Sequence, residues 1–415
     1  MKNPATTVME RCDLLGNISE EGDALTRPFG SQAMREVNEI VASWMRDVGM
    51  TVCQDAIGNL IGRYGGEGEK TLVLGSHLDT VRDAGKYDGI VGVMVALACV
   101  QQLHERGERL PFSIEVVAFA DEEGLRFGTT FLGSSVYAGA FDRERLKLRD
   151  HSGTSLRDAV RDFGGDPDAL EKSGRGGDDL LGYCEVHIEQ GPVLEERNLT
   201  VGVVTGIQGQ SRIRVHFSGK AGHAGTVPMA NRKDALCAAA EFVLEVETAC
   251  KVQPGAVATV GEISAFPGAV NVIPGECELS LDLRHGDDAV RESLRDHFER
   301  RAQDIARSRG CGFNWQVRQE TLAVPADPDL TDLLCRAVEG TGGTVERLPS
   351  GAGHDAAQMA ALTAVAMLFV RCEEGISHNP AESVTEGDVG VAIEVMANFL
   401  QLVVESLSRP RKGSA

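Results

Sequence analysis

The sequence predicts an α/β protein: a largely parallel sheet flanked by helices, with a ferredoxin-like α+β domain inserted into it. Three observations carry this. The apolar runs TLVLGSHLDT and FSIEVVAFADEEG flank one helix-length segment, Gly89 to Glu105, which is the strand–helix–strand spacing of a parallel sheet. From about Gly209 the order becomes strand–helix–strand–strand–helix–strand, a compact α+β unit. After Pro328 the α/β pattern resumes, so 209–327 is read as an insertion between 1–208 and 328–415. At 415 residues the chain is longer than one hydrophobic core usually supports.

The elements follow in order. Ser31 to Met50 has helical periodicity, with Met34, Val37, Ile40, Val41 and Trp44 on one face. TVCQDAIGNLIGRY reads as a hairpin turning at Gly58 and Asn59. In the insertion, SRIRVHFSG alternates as a half-exposed strand does, Ala230 to Cys250 is a helix, and AVATVGEISA and ECELSLDLR are strands. Asp287 to Arg309 is the second helix and GFNWQVRQ the last strand. VPADPDL, with Pro325 and Pro328, is the linker out. A helix from Leu330, the run TAVAMLFV and a helix through Val395 to Leu407 complete the large domain, with disorder expected from Arg409 to Ala415.

Composition narrows the function classes. Hydrophobic residues are 42% and charged residues 25%, ordinary for a globular protein. The formal net charge of −21 repels nucleic acid and anionic membranes, so neither is expected as a partner. It also opposes an anionic substrate unless the site supplies local positive charge. Ten dispersed cysteines without a Cys-x-x-Cys pair or a secretory signal point to a reduced, cytoplasmic protein. No uninterrupted apolar run approaches ~18 residues, so no membrane span is expected.

Polar clusters end several of the apolar runs. His77 and Asp79 form a His-x-Asp, Asp88 lies in GKYDG, Glu122 and Glu123 are adjacent, His187 opens HIEQGP and His378 sits in GISHNPAE. In open α/β sheets, ligands bind beyond the carboxyl ends of the strands. A lone histidine or a pair of glutamates is usually structural or solvated. Polar groups gathered at strand ends need partners, however, and a shared metal satisfies several at once. Mixed imidazole and carboxylate ligands suit manganese, zinc, nickel or cobalt.

The strings GSHLDTV, GKYDGIVGV, ADEEG, HIEQGP, GHAGTVPM, NVIPG, LDLR, SGAGHDA and GISHNPAE run in order from about Gly75 to Glu382. Together they resemble the carbamoylase and allantoate-amidohydrolase branch of the aminoacylase/carboxypeptidase superfamily, which implies a di-metal peptidase-like catalytic domain with the insertion as its lid and dimerisation domain. SHLDTVRDAGKYDG and YCEVHIEQGPVLE are most similar to bacterial allantoate amidohydrolases. The resemblance implies two divalent metal ions, manganese or zinc foremost. Asp88 would bridge them, His77 and His187 would complete one site, and Glu123 and His378 the other. Asp79 would orient His77, and Glu122, beside a ligand but not one itself, would be the general base. His187 stands where many peptidase relatives have a carboxylate, and Gln190-Gly191-Pro192 after it is typical of the carbamoylase branch.

The resemblance also implies that Gln210, Asn271 and Arg284 hold the substrate, Arg284 clamping a carboxylate. His223 would stabilise an oxyanion, in a homodimer where it is available to the neighbouring subunit. His354, in the Gly-rich SGAGHDA, either touches substrate or holds its loop. Metals on one domain and substrate groups on the other imply closure about hinges near Gly206 to Gly209 and Ala323 to Pro328. The expected activity is hydrolysis of a ureido C–N bond in a small anionic substrate, allantoate foremost. The alternatives are an N-carbamoyl-L-amino acid, ureidoglycolate or ureidopropionate. A peptidase fits His187 poorly, and a catalytically silent binding protein has no use for Glu122.

Overall fold

The strands of the computed structural model, which describes residues 3–408, are β1 (Thr51–Gln54), β2 (Leu60–Tyr64), β3 (Thr71–His77), β4 (Ser113–Phe119), β5 (Leu180–Ile188), β6 (Val201–Ile207), β7 (Gly209–Ser218), β8 (Gly222–His223), β9 (Val257–Thr259), β10 (Ile263–Phe266), β11 (Val272–Ile273), β12 (Glu276–His285), β13 (Gly312–Thr321), β14 (Val324–Pro325), β15 (Arg347–Ser350) and β16 (Val365–Val370). The tail expected to be disordered, 409–415, lies outside the described residues. The chain divides into two units, Met1–Thr205 with Ala326–Ala415, and Gly206–Pro325.

In the larger unit the sheet order is β1-β2-β4-β3-β5-β16-β6, with β15 beside β6. The four central strands β4, β3, β5 and β16 run parallel, and antiparallel strands close both sides. β3, β4 and β16 are buried along their whole length, the continuous apolar reading of a sheet covered on both faces. The covering helix Ile90–Glu105 is buried over most of its surface for the same reason. Gln32–Asp47 is amphipathic: Ser31 caps it, Met34, Val37 and Val41 are buried, and Ile40 and Trp44 pack at its margin. The β1–β2 turn is held by Asp55, whose Oδ1 accepts the amides of Ile57, Gly58 and Asn59. The last helix, Glu386–Ser408, is long and apolar enough by composition to cross a membrane, but half of its most apolar window is buried inside the protein.

In the smaller unit the order is β10-β12-β7-β13, antiparallel throughout, with β9 also pairing β12. This is ferredoxin-like, and the helices Ala235–Val252 and Asp288–Ser308 share a separate core with the sheet through Phe217, Phe242, Leu279, Leu281 and Phe298. Three details differ from the sequence reading. AVATVGEISA is two strands, because β9 pairs Asp282 to Arg284 while β10 pairs Glu276 to Leu279. The first helix starts at Ala235, where Asp234 caps it, with a 3-10 turn at Met229–Asn231 before it. VPADPDL is not plain linker: Val324 pairs with Ile207 and Pro325 with Gly206, and Asp327 caps the helix Pro328–Gly340.

Candidate metal centre

The parallel strands set the site. His77 is the last residue of β3, His187 is one from the end of β5, and Asp121 to Glu123 follow β4 at the same sheet edge. Asp88 reaches them from a turn of unusual backbone. Gly89 has φ 68° and ψ −48°, and the Ile90 amide donates to the Asp88 carbonyl at 2.8 Å, closing a γ-turn. A Cβ on Gly89 would lie 2.4 Å from His77 Cε1 and Nε2, so only glycine lets the imidazole lie against this turn. Non-glycine residues with positive φ recur here: Asp121 (58°), Gln190 (56°) and His378 (55°).

The two buried histidines have assigned tautomers. His77 Nδ1 lies 3.0 Å from the Asp79 carbonyl, and His187 Nδ1 lies 2.9 Å from the Ile188 carbonyl. A carbonyl only accepts, so each Nδ1 carries a proton and each Nε2 is the ring nitrogen left to take a metal ion or, without one, a proton. Both Nε2 atoms face Asp88 Oδ1, at 3.5 Å for His77 and 3.2 Å for His187. The other oxygen, Oδ2, is 3.6 Å from His378 Nε2, which is itself 3.3 Å from Glu123 Oε1. His77, Asp88 and His187 form one set of possible ligands and Asp88, Glu123 and His378 a second, with ligand atoms within 4.8 Å in each.

The residues fit metal ions. An imidazole nitrogen facing a carboxylate oxygen needs a cation between them, a metal ion or a proton. Ligand atoms about 2.1 Å from a tetrahedral ion stand about 3.4 Å apart, which is the spacing seen. The charges agree. Burial alone would lower His77, yet Asp79 and Asp88 hold it well above its ordinary range. Burial alone would raise Asp88, and His187 with His77 holds it well below. His378 is raised to about 9 by its contact with Glu123. The first set is buried, whereas the His378 side chain is 50% exposed.

Glu122 is buried beside His77 and Glu123 and is pushed well above the usual carboxylate range, first by burial and then by Glu123, Asp355 and Asp79 against the opposing pull of His77. Asp79 carries a task beyond the one expected. Its carbonyl meets His77 Nδ1 at 3.0 Å with its carboxylate 3.6 Å from the same nitrogen. The carboxylate also accepts the amides of Glu122 and Glu123, each at 3.1 Å. It thus fixes the peptide segment that presents both glutamates.

Other residues complete the centre without any sequence expectation of them. Gln190 Nε2 and Ser377 Oγ donate to Asp88 Oδ2 at 2.7 and 2.5 Å. Glu382 Oε1 accepts the amides of Tyr87 and Asp88 at 2.8 and 3.0 Å, and burial raises its carboxyl to about 7. Glu185, fully buried, takes Ser76 Oγ at 2.9 Å and the Ala356 amide at 3.0 Å, joining the strands of both histidines to the SGAGHDA loop. Arg27, also fully buried, donates to the carbonyls of Leu78, Leu15 and Ile18, pinning the HLDT turn. His354 is buried: its Nε2 meets Ser350 Oγ at 2.7 Å and its ring stands 4.5 Å from that of His187. In this structure it holds its loop against a metal-site histidine, because Ser350 and His187 enclose it.

The remaining candidates lie in the smaller unit. Gln210 and Arg284 face each other across β7 and β12. His223 on β8 is opposite Val272 on β11, and the Ala224 amide donates to the Asn271 carbonyl at 2.9 Å, so His223 and Asn271 neighbour one another.

The profile of peptidase family M20/M25/M40 matches residues 73–402. An allantoate deiminase of Arabidopsis thaliana is 40% identical over 420 residues, spanning 93% of this chain and 80% of the relative. An N-carbamoyl-L-amino-acid amidohydrolase of Pseudomonas sp. (strain NS671) is 39% identical over 389 residues, spanning 92% and 94%. A crystal structure of an amidase of the hydantoinase/carbamoylase family from Burkholderia multivorans superposes with a TM-score of 0.90 at 30% identity, covering 95% and 97% of the two chains.

Proposed function

Because the chain belongs to peptidase family M20/M25/M40, we propose that it hydrolyses a ureido C–N bond of a small carboxylate, allantoate foremost, using two divalent metal ions. The chain is a metal-dependent hydrolase of non-peptide C–N bonds. The observation that carries the reading is the Asp88 carboxylate, with one oxygen facing the Nε2 atoms of His77 and His187 and the other facing the Glu123–His378 pair. His77, Asp88 and His187 would hold one ion and Asp88, Glu123 and His378 the other. Bound there, the ions acidify a water molecule and polarise the carbonyl, which a urea-type carbon needs because two nitrogens donate into it.

The chain's own groups do the rest. Glu122 takes the proton of the attacking water and returns it to the departing nitrogen. Asp79 keeps Glu122 in place through its peptide amide. Arg284, with Gln210 and Asn271, binds the substrate carboxylate, and His223 stabilises the oxyanion. With allantoate and one water the products are ureidoglycine, ammonia and carbon dioxide. An N-carbamoyl-L-amino acid is the second reading, supported by the Pseudomonas relative.

The test strips the protein of metal, reloads it with manganese and compares ammonia release from allantoate with that from a panel of N-carbamoyl-L-amino acids. A higher kcat/KM for allantoate is expected, and preference for a carbamoyl amino acid would overturn the substrate while leaving the ureido chemistry. We also infer a homodimer through the smaller unit, supported by its exposed Leu236, Leu244, Ile263, Phe266 and Val270. Light scattering at the monomer mass would refute it. Ten free thiols support a reducing, cytoplasmic setting.

A further inference from the structure

The β12 register puts Asp282 two residues before Arg284 on the same face of the sheet, diagonal to Gln210 on β7. Its carboxylate is the meeting point of the groups around it. Oδ1 accepts Arg284 Nε at 2.9 Å, and Oδ2 accepts Arg284 Nη2 at 3.0 Å and Gln210 Nε2 at 2.7 Å. Arg212 Nε on β7 lies 3.4 Å from the same Oδ2. The contact to Arg284 is two-pronged, along the edge of the guanidinium that carries Nε, and so it fixes the plane and direction of the group. Two guanidiniums, those of Arg284 and Arg212, meet this one carboxylate.

We propose that Asp282 is a positioning residue for carboxylate recognition: one side chain orients both Arg284 and Gln210, so that the substrate carboxylate meets a preset donor array. The proposal rests on the reading that Arg284 and Gln210 bind the substrate carboxylate. Its physical content is that orientation outweighs charge. Removing the Asp282 charge makes the patch more positive, and charge alone would tighten the binding of an anion. An amide in its place turns one acceptor into a donor aimed at Arg284 or Gln210, and the array loses its direction. A guanidinium left to swing must be ordered again at each binding event.

The test uses the metal-loaded enzyme, allantoate and its methyl ester, with Asp282→Asn, Arg284→Ala and the double variant. For Asp282→Asn, KM for allantoate is expected to rise about tenfold, the loss of one charge-assisted contact. The ester should be unaffected, and kcat on allantoate should change less than KM. In the Arg284→Ala background the Asp282 substitution should add much less, since only Gln210 is left for it to orient. Asp282→Glu, which keeps the charge but displaces the contacts, should fall between wild type and Asp282→Asn. A lower KM for Asp282→Asn, an equal rise for acid and ester, or an effect undiminished by the loss of Arg284 would each overturn the proposal. If Arg284→Ala weakens acid and ester alike, the assignment of Arg284 itself has failed, which is a distinct result from failure of Asp282 alone.

Discussion

Gly89→Ala will cost the protein one of its metal ions while leaving the fold in place. Gly89 sits at φ 68° and ψ −48°, outside the regions open to an L-residue, and holding alanine there costs of order 1–3 kcal/mol. The new methyl would also lie 2.4 Å from His77 Nε2 and Cε1 and 2.5 Å from Cδ2. Ordinary contact is about 3.5–4 Å, so the ring or the turn must give by about 1 Å. A metal–nitrogen bond tolerates only about 0.2 Å. Displacement on that scale removes His77 from the set it forms with Asp88 and His187, whereas Glu123 and His378 are not touched. Metal per chain, measured by elemental analysis after dialysis, should fall from two toward one. Turnover should fall at least a hundredfold on the scale of a misplaced reacting group, roughly 10² per Å. Two tightly held ions with unchanged turnover would refute the reasoning. Loss of both ions would show that Asp88, not His77, had moved.

Other perturbations probe different residues. Glu122→Gln should retain both metals by elemental analysis and lose about 10²–10⁴ in kcat, the usual contribution of a general acid–base group; unchanged turnover removes it from that role. Glu382→Ala leaves the buried amides of Tyr87 and Asp88 without their acceptor and should cost about 1–3 kcal/mol in a denaturant titration, with weaker metal retention. Asp150 is drawn down to about 2: burial opposes its charge, but the Ser152 hydroxyl, Arg126 and the Thr154 amide outweigh it. Its folded value is depressed, so the stability it adds is present above about pH 4 and is lost as pH falls through about 2. Asp150→Asn should therefore be less stable by about 2 kcal/mol at pH 7, with the gap closing toward pH 2. A gap independent of pH would refute that origin.

The parts of the site that could be read from sequence share one property. His77, Glu122, Glu123 and His187 each stand at the end of a buried strand, where a polar residue breaks an apolar run, and β3, β4 and β5 run parallel so that these ends meet. Ser377 and Glu382 carry no such mark, and Gln190, just past the end of β5, was legible only as part of HIEQGP and not as a donor to Asp88. Glu382 lies 294 residues from the Asp88 amide it accepts, so its task exists only once the chain has folded. Asp79 shows the same limit: the resemblance gave it His77 to orient, but its bond to the Glu122 amide joins a loop 43 residues away and exists only once the chain has folded. In the smaller unit the ferredoxin-like order was readable from alternation and helix spacing. The break between β9 and β10 was not, because it depends on where each half pairs along β12.

Metal removal gives a sharper test of how the chain is divided. Asp79, Asp88, Asp121, Glu122, Glu185 and Asp355 are all buried in the larger unit, as are His77 and His187. Without cations, that concentration of negative charge is held only by histidine protons and hydrogen bonds. Burial accordingly pushes Asp121, Glu122 and Asp355 well above the usual carboxylate range. The smaller unit has its own core, built on Phe217, Phe242 and Phe298, and holds none of these groups. A ligand present at 100 times its Kd stabilises the fold it binds by about 2.7 kcal/mol, and at about 2 °C per kcal/mol for a large unit this is a shift of about 5 °C. Calorimetry with and without chelator should show one transition falling by about that much and a second, from the smaller unit, that stays where it is. A single transition that moves as a whole would mean that the two cores unfold together. Two transitions that both ignore the chelator would mean that the Asp88 centre holds no metal, and the catalytic reading would fall with it.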